Sequence, residues 1–309
     1  MTPDLFLADL SEKPERLRAL RLDGAWDFVT APARVVLLGM GSSHYANLVA
    51  AARLRAAGVS AVAELASSDL LPALGPGDLV VAVSASAGSV ETLDAVERLG
   101  PDVEVVALVN KPGPLTERAA RAVSMDAGEE RGGVACRSFQ HTLALLLELE
   151  RHLTGGRAVP LAEAAAASEH LLATEADWRP RLDELLMGPH GTHVVAPARR
   201  VSSAYQSALM LREGPRLQAT GCETGDWSHV DVYLTKTTDY RMLLLGGSRW
   251  EPQLLDWTRQ RGSTVVAVGA PLAEAAFELR YPHDEDDDVR LLTETLVAEL
   301  VAARAWLSA

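Results

Sequence analysis

The chain has 309 residues, 48% of them hydrophobic, and a formal net charge of −13. This excludes a disordered chain and leaves room for two ordinary domains with sizeable cores. The acidic balance argues against a nucleic-acid or anionic-membrane partner, although backbone dipoles can hold a small anion whatever the total charge. No apolar run reaches bilayer-crossing length, and the charged start (Asp4, Asp9, Glu12, Lys13) is unlike a signal peptide. Cys136 and Cys222 are too few for a disulfide framework, so a cytoplasmic protein is expected.

In chain order, residues 34–38 (RVVLL), 79–83 (LVVAV) and 104–109 (EVVALV) read as short buried strands, β-branched and bounded by Gly, Pro or Asp. Helical runs lie between them, over about 43–57 and 89–99, and Val134 to Leu153 carries apolar residues at helical spacing. An Ala-rich helical link over about 160–187 follows. The pattern then returns, with strands at 192–196, 242–245 and 264–268 and helices at 202–213 and 251–261. Val35, Val80 and Val105 match Val194, Met242 and Val265 at an offset of about 160 residues, which predicts an internal duplication. The expected class is α/β: two tandem doubly wound parallel-sheet domains, 1–155 and 156–309.

Such sheets bind ligands beyond the carboxyl ends of their strands. Two strand ends of the first domain carry Gly and Ser: Gly39-Met40-Gly41-Ser42-Ser43 and Ser84-Ala85-Ser86-Ala87-Gly88-Ser89. Any one of these serines reads as a helix cap. Five hydroxyls at two ends of one sheet make a neutral cradle for a phosphate, with no lysine needed. Gly39-Met40-Gly41 also opens like a dinucleotide fingerprint, with Glu64 in the place of a ribose-binding acid, but His44 stands at its third glycine.

Gly-x-Gly-Ser-Ser after the first strand, Ser-x-Ser after a later one, and Gly133-Val134-Ala135-Cys136 before a long helix resemble the sugar isomerase (SIS) family. The likeness is to the isomerase half of glucosamine-6-phosphate synthase and spans about 30–305. It implies that Ser42, Ser43, Ser84, Ser86 and Ser89 hold the phosphate of a sugar, with Gly41, Val134 and Cys136 touching the substrate. It also implies a catalytic pair. The family places a glutamate at the end of the first helix of its second domain and a histidine sixteen residues on, here Glu213 and His229. By this resemblance Glu213 moves a proton between C1 and C2, and His229, reaching across a dimer interface, opens the sugar ring.

The chain departs from the family at several positions. Ala87 and Ser89 replace a Gly and a Thr, Met210 replaces a lysine, and Val230-Asp231 replaces a Gly-Pro. Read as it stands, the sequence is expected to work without the family's tail lysine and without its glutamine-hydrolysing half. Of the chain's lysines, Lys111 and Lys236 read as surface residues. The resemblance therefore implies isomerisation of a phosphorylated sugar, or release of an amine from an aminosugar or fructosamine phosphate, without glutamine-dependent amination. No cofactor or metal is expected, and a homodimer is. Two alternatives stay open: a non-catalytic sugar-phosphate binder and a nicotinamide-dependent oxidoreductase. His190-x-x-His193 reads as non-metallic, Cys136 and Trp227 read equally as core, and Asp284–Asp288 reads as a solvated helix start.

Overall fold

Ten short strands fall into two five-stranded parallel sheets in a computed structural model that describes residues 1–308. The first sheet contains β1 (Arg34–Gly39), β2 (Ala61–Leu65), β3 (Asp78–Val83), β4 (Glu104–Val109) and β5 (Arg121–Ser124), in the order β2-β1-β3-β4-β5. The second contains β6 (Thr192–Ala196), β7 (Ala219–Glu223), β8 (Arg241–Leu245), β9 (Thr264–Val268) and β10 (Phe277–Leu279), in the order β10-β9-β8-β6-β7. In chain order the two arrangements coincide. The first strand of each sheet has the second on one side and the third on the other, so a switch-point crevice opens between the first and the third.

The two sheets belong to two compact units. One comprises Ala19–Glu129 and Arg137–Val159; the other comprises Met1–Arg18, Glu130–Cys136 and Pro160–Ala309. In the first, the apolar runs of β1, β3 and β4 are buried because helices cover both faces of the sheet. Val36, Leu38, Val80, Ala82, Val105 and Ala107 form part of this core. The helix Arg137–Thr154 packs in the same unit, where Trp26 donates its indole N–H to the Leu145 carbonyl at 2.8 Å. The helical run expected from Val134 starts at Arg137, because residues 130–136 belong to the other unit.

In the second unit the N-terminal helices Pro3–Ser11 and Lys13–Ala19 pack with the last helix, Thr295–Leu307. Phe6 and Trp306 meet at 6.5 Å between ring centroids. Segment 130–136 lies against the first helix, with Gly132 N–H donating to buried Asp9 at 2.7 Å. A β-carbon on Gly132 would stand 2.6 Å from the Phe6 backbone, so only glycine allows this approach. The expected 160–187 link is two helices, Leu161–Ala173 and Glu175–Leu186. The acidic run is less solvated than expected. Asp284 is buried against Arg280, Asp288 is buried, and Asp286 caps the helix Asp287–Thr293 by accepting from Asp288 and Val289 N–H.

Candidate functional site

At the carboxyl edge of the first sheet, Gly39 of β1 stands opposite Val83 of β3, so the two hydroxyl-rich loops leave from neighbouring strand ends. Gly39 lets the next helix (Gly41–Ala56) fold back closely: a β-carbon there would lie 3.0 Å from Asn47 and Ser43 side-chain atoms. Ser42 and Ser43 occupy the first turn of that helix, half-buried, and their hydroxyls make no hydrogen bond among the described residues. Ser84 is buried, and its backbone N–H donates to the Leu108 carbonyl at 3.0 Å, continuing the ladder past β3.

The rest of the second loop is partly committed to itself. Ser86 Oγ accepts from Gly88 N–H at 3.3 Å. Ser89 caps the helix Val90–Glu97 by accepting from Thr92 N–H at 3.4 Å, and its hydroxyl donates to Glu91 at 2.9 Å. Ala87, at the family's glycine position, adopts φ +54° while fully buried. The loop thus keeps the left-handed turn a glycine would make, at a cost of about 1 kcal/mol.

In the other unit the helix Val201–Glu213 ends on Glu213, where Gly214-Pro215 stops it. Glu213 is half-buried and has no ion-pair partner among the described residues. Burial pushes its carboxyl above the ordinary range, and the neighbouring Glu130 carboxylate pushes it the same way. Glu130 is held by Cys136, whose backbone N–H donates to its Oε1 at 2.7 Å. The Cys136 thiol is fully buried and pushed up by burial and by Glu130. Val134 is also buried. Gln206 donates to the Ala135 carbonyl at 2.9 Å, fastening this segment to the helix that carries Glu213. Met210, at the family's lysine position, is buried beside Gln206.

Behind this cluster lies an ion pair the sequence did not announce. Lys13 Nζ stands 2.5 Å from Glu299 Oε2, with both side chains at most 1% exposed. Burial raises the Glu299 carboxyl, while the ammonium pulls it down. No motif marks Lys13, Glu130 or Glu299; their one signal is apolar context, which many surface residues share. Lys111 and Lys236 are exposed, as expected.

His229 lies in an exposed turn after the short helix Thr224–Trp227, its N–H donating to the Asp226 carbonyl at 2.8 Å. Trp227 is in the core. Of the expected histidine pair, His193 is buried, 2.9 Å from Thr220 Oγ1 and stacked on Tyr240, while His190 accepts from Asp239 N–H at 3.2 Å. The structure therefore gathers the serines at one sheet edge in one unit, and Glu213, Glu130, Val134 and Cys136 in the other.

Comparison with known proteins places this geometry. No protein-family model matches the chain. The fold is shared with the C-terminal domain of glucosamine-fructose-6-phosphate aminotransferase from Francisella tularensis (TM-score 0.79, 17% identity, 98% of this chain and 96% of the other). It is also shared with tagatose-6-phosphate ketose/aldose isomerase from Escherichia coli (0.81, 17%, 98% and 93%). A third match is glucosamine-6-phosphate deaminase from Thermotoga maritima (0.78, 17%, 98% and 94%). The sugar-isomerase resemblance read from the sequence therefore stands, and the chain has the fold of these proteins. Among curated proteins, the isomerizing glutamine–fructose-6-phosphate aminotransferase of Sulfurisphaera tokodaii is 21% identical over 275 residues, covering 87% of this chain. The chain spans about half, 46%, of that relative.

Proposed function

We propose that the protein acts on a phosphorylated sugar by moving a proton between C1 and C2. It either isomerises an aldose and a ketose or releases the amine of an aminosugar or fructosamine phosphate. The observation that carries this reading is Glu213: a half-buried carboxyl, raised by burial and by Glu130, with no cation to neutralise it. A surface helix end has no need of such a group. A base for an enediol intermediate does, because its pKa must approach working pH to take a proton and return it. The names of three solved structures with this fold support the substrate class.

In this reading Ser42, Ser43, Ser84, Ser86 and Ser89 and the amides of two helix starts hold the phosphate. Gly41, which is exposed, completes the substrate contacts; Val134 and Cys136, which the resemblance also implies, have buried side chains and stand behind the surface. Glu213 removes the proton beside the carbonyl, and the resulting enediol takes it back at the neighbouring carbon. His229, donated across a homodimer interface, protonates the ring oxygen and deprotonates the anomeric hydroxyl so that the open chain reaches Glu213. The shuttle needs no cofactor. Amine release adds one water and frees ammonia or the amine. The common strand order supports two domains related by duplication; the boundary expected near 155–156 separates the two sheets, while residues 1–18 and 130–136 pack with the second of them. No helix among the described residues is long and apolar enough to cross a membrane, in keeping with a cytoplasmic enzyme.

The test is a panel of hexose and hexosamine 6-phosphates assayed in deuterated water, with ammonia release followed in parallel. Wild type incorporates deuterium at C1 or C2, and Glu213→Gln loses at least a hundredfold in rate while still binding the sugar phosphate. Binding without exchange in wild type leaves a sugar-phosphate binder and removes the enzyme.

A further inference from the structure

The loop that carries His229 has a residue on each side of the histidine facing one hydroxyl. Tyr240, immediately before β8, has a ring only 1% exposed. The Trp227 indole N–H lies 2.8 Å from its oxygen, and the Asp231 carboxylate lies 3.5 Å from it. The direction of this chain is set by chemistry. An indole N–H only donates and a carboxylate only accepts, so the hydroxyl must accept from Trp227 and point its own proton at Asp231. Burial and the nearby Asp231 charge push the phenol far up, so it keeps that proton.

The ring that bears the hydroxyl is itself clamped. His193 of β6 stacks on one face of Tyr240, with centroids 4.0 Å apart and an angle of 18°. The edge of Trp227 approaches at 6.2 Å and 65°. His193 Nδ1 also lies 3.4 Å from the Asp231 oxygen that faces Tyr240. Trp227 and Asp231 stand two residues before and two residues after His229. The imidazole between them is exposed, with no side-chain partner among the described residues. The turn of residues 228–230 is thus flanked by two residues that meet at a single buried oxygen, which narrows its freedom before any substrate arrives. Asp231 stands where the family carries proline, so the tether belongs to this chain's own departure from the pattern.

We propose that Tyr240 is a positioning residue for His229: its hydroxyl holds the flanks of the turn so that the imidazole is presented in one place. The inference rests on the reading of His229 as the ring-opening group, and two sets of measurements separate the two.

Tyr240→Phe keeps the ring, its stacking and its burial and deletes only the oxygen; Asp231→Asn is the second variant should the first fold poorly. The first readout is independent of activity. In protein labelled with 13C-histidine, the His229 ring signals are expected to broaden or split in Tyr240→Phe, with the other histidines outside this network unchanged. Signals identical to wild type overturn the proposal. The second readout compares fructose 6-phosphate, which is cyclic, with 5-deoxyfructose 6-phosphate, which cannot close its ring. For the cyclic sugar, kcat of deuterium exchange is expected to fall about tenfold with KM within twofold. For the open-chain sugar it is expected to stay at the wild-type rate. His229→Asn is expected to give the same pattern, and adding Tyr240→Phe to it to cost nothing more. Loss in His229→Asn without loss in Tyr240→Phe overturns the positioning role and leaves the proposed function intact. No effect of His229→Asn on the cyclic sugar, or no exchange in wild type, overturns the ring-opening reading, and the NMR comparison then decides the tether alone.

Discussion

Replacing Lys13 with methionine tests how the N-terminal helices are held to the last helix. Lys13 and Glu299 are at most 1% exposed and 2.5 Å apart, so the change leaves a buried carboxylate without its cation. Breaking such a pair from one side costs about 3–5 kcal/mol, far more than the pair contributes against an apolar replacement. At about 2.1 cal/mol/K per residue, unfolding a 309-residue chain as a whole has an entropy of about 0.65 kcal/mol/K. The expected fall in Tm is therefore about 5–8 °C. The loss should depend on pH, with a fixed sign. Burial raises Glu299 in the folded state, so the native form binds more protons than the unfolded chain above the ordinary glutamate range. Without Lys13 the variant becomes less stable as pH rises through that raised value, and at acid pH the deficit shrinks. The double variant Lys13→Met with Glu299→Leu should recover most of the loss and the pH dependence with it. Urea denaturation at several pH values measures all three variants. A single-variant loss below about 1 kcal/mol, or no recovery in the double, would refute the argument from desolvation.

Two further outcomes follow from the site. Glu130→Gln removes one of the two influences that raise Glu213 while keeping an acceptor for the Cys136 N–H, so the acid limb of the kcat profile should move to lower pH. A limb that stays in place would separate Glu130 from the base. Ala87→Val puts a β-branched residue at φ +54° at a fully buried position of the loop, where the Ala87 side chain already faces Gly113. It should cost about 2–3 kcal/mol in denaturant titration and weaken binding of a sugar phosphate measured calorimetrically. An unchanged midpoint would mean that the loop relaxes out of the left-handed turn.

The central strands were legible because parallel strands covered on both faces need unbroken apolar runs, and β1, β3, β4, β6, β8 and β9 supply them. The edge strands β2, β5, β7 and β10 were not. Exposed on one side, they carry sequences such as Arg-Ala-Val-Ser and Ala-Thr-Gly-Cys-Glu that no periodicity separates from loop. The serine loops could be read directly, since each lies within one stretch of chain, and the Glu213–His229 spacing was implied by the family resemblance. Whether their hydroxyls were free could not. Ser89 turned out to be committed to Thr92 and Glu91, while Ser42 and Ser43 are open.

What the sequence by itself determined was the parallel α/β class, the two hydroxyl-rich strand ends and the glutamate that stops its helix at Gly-Pro. These are set by neighbours a few residues away, through burial, turn chemistry and capping. What only the tertiary structure decided was the company each group keeps. Lys13 meets Glu299 across 286 residues of sequence, Glu130 comes to act on Glu213, and Trp227 and Asp231 converge on Tyr240. A charge buried in low dielectric answers to whatever lies within a few ångströms, and chain packing, which no local pattern encodes, chooses those neighbours.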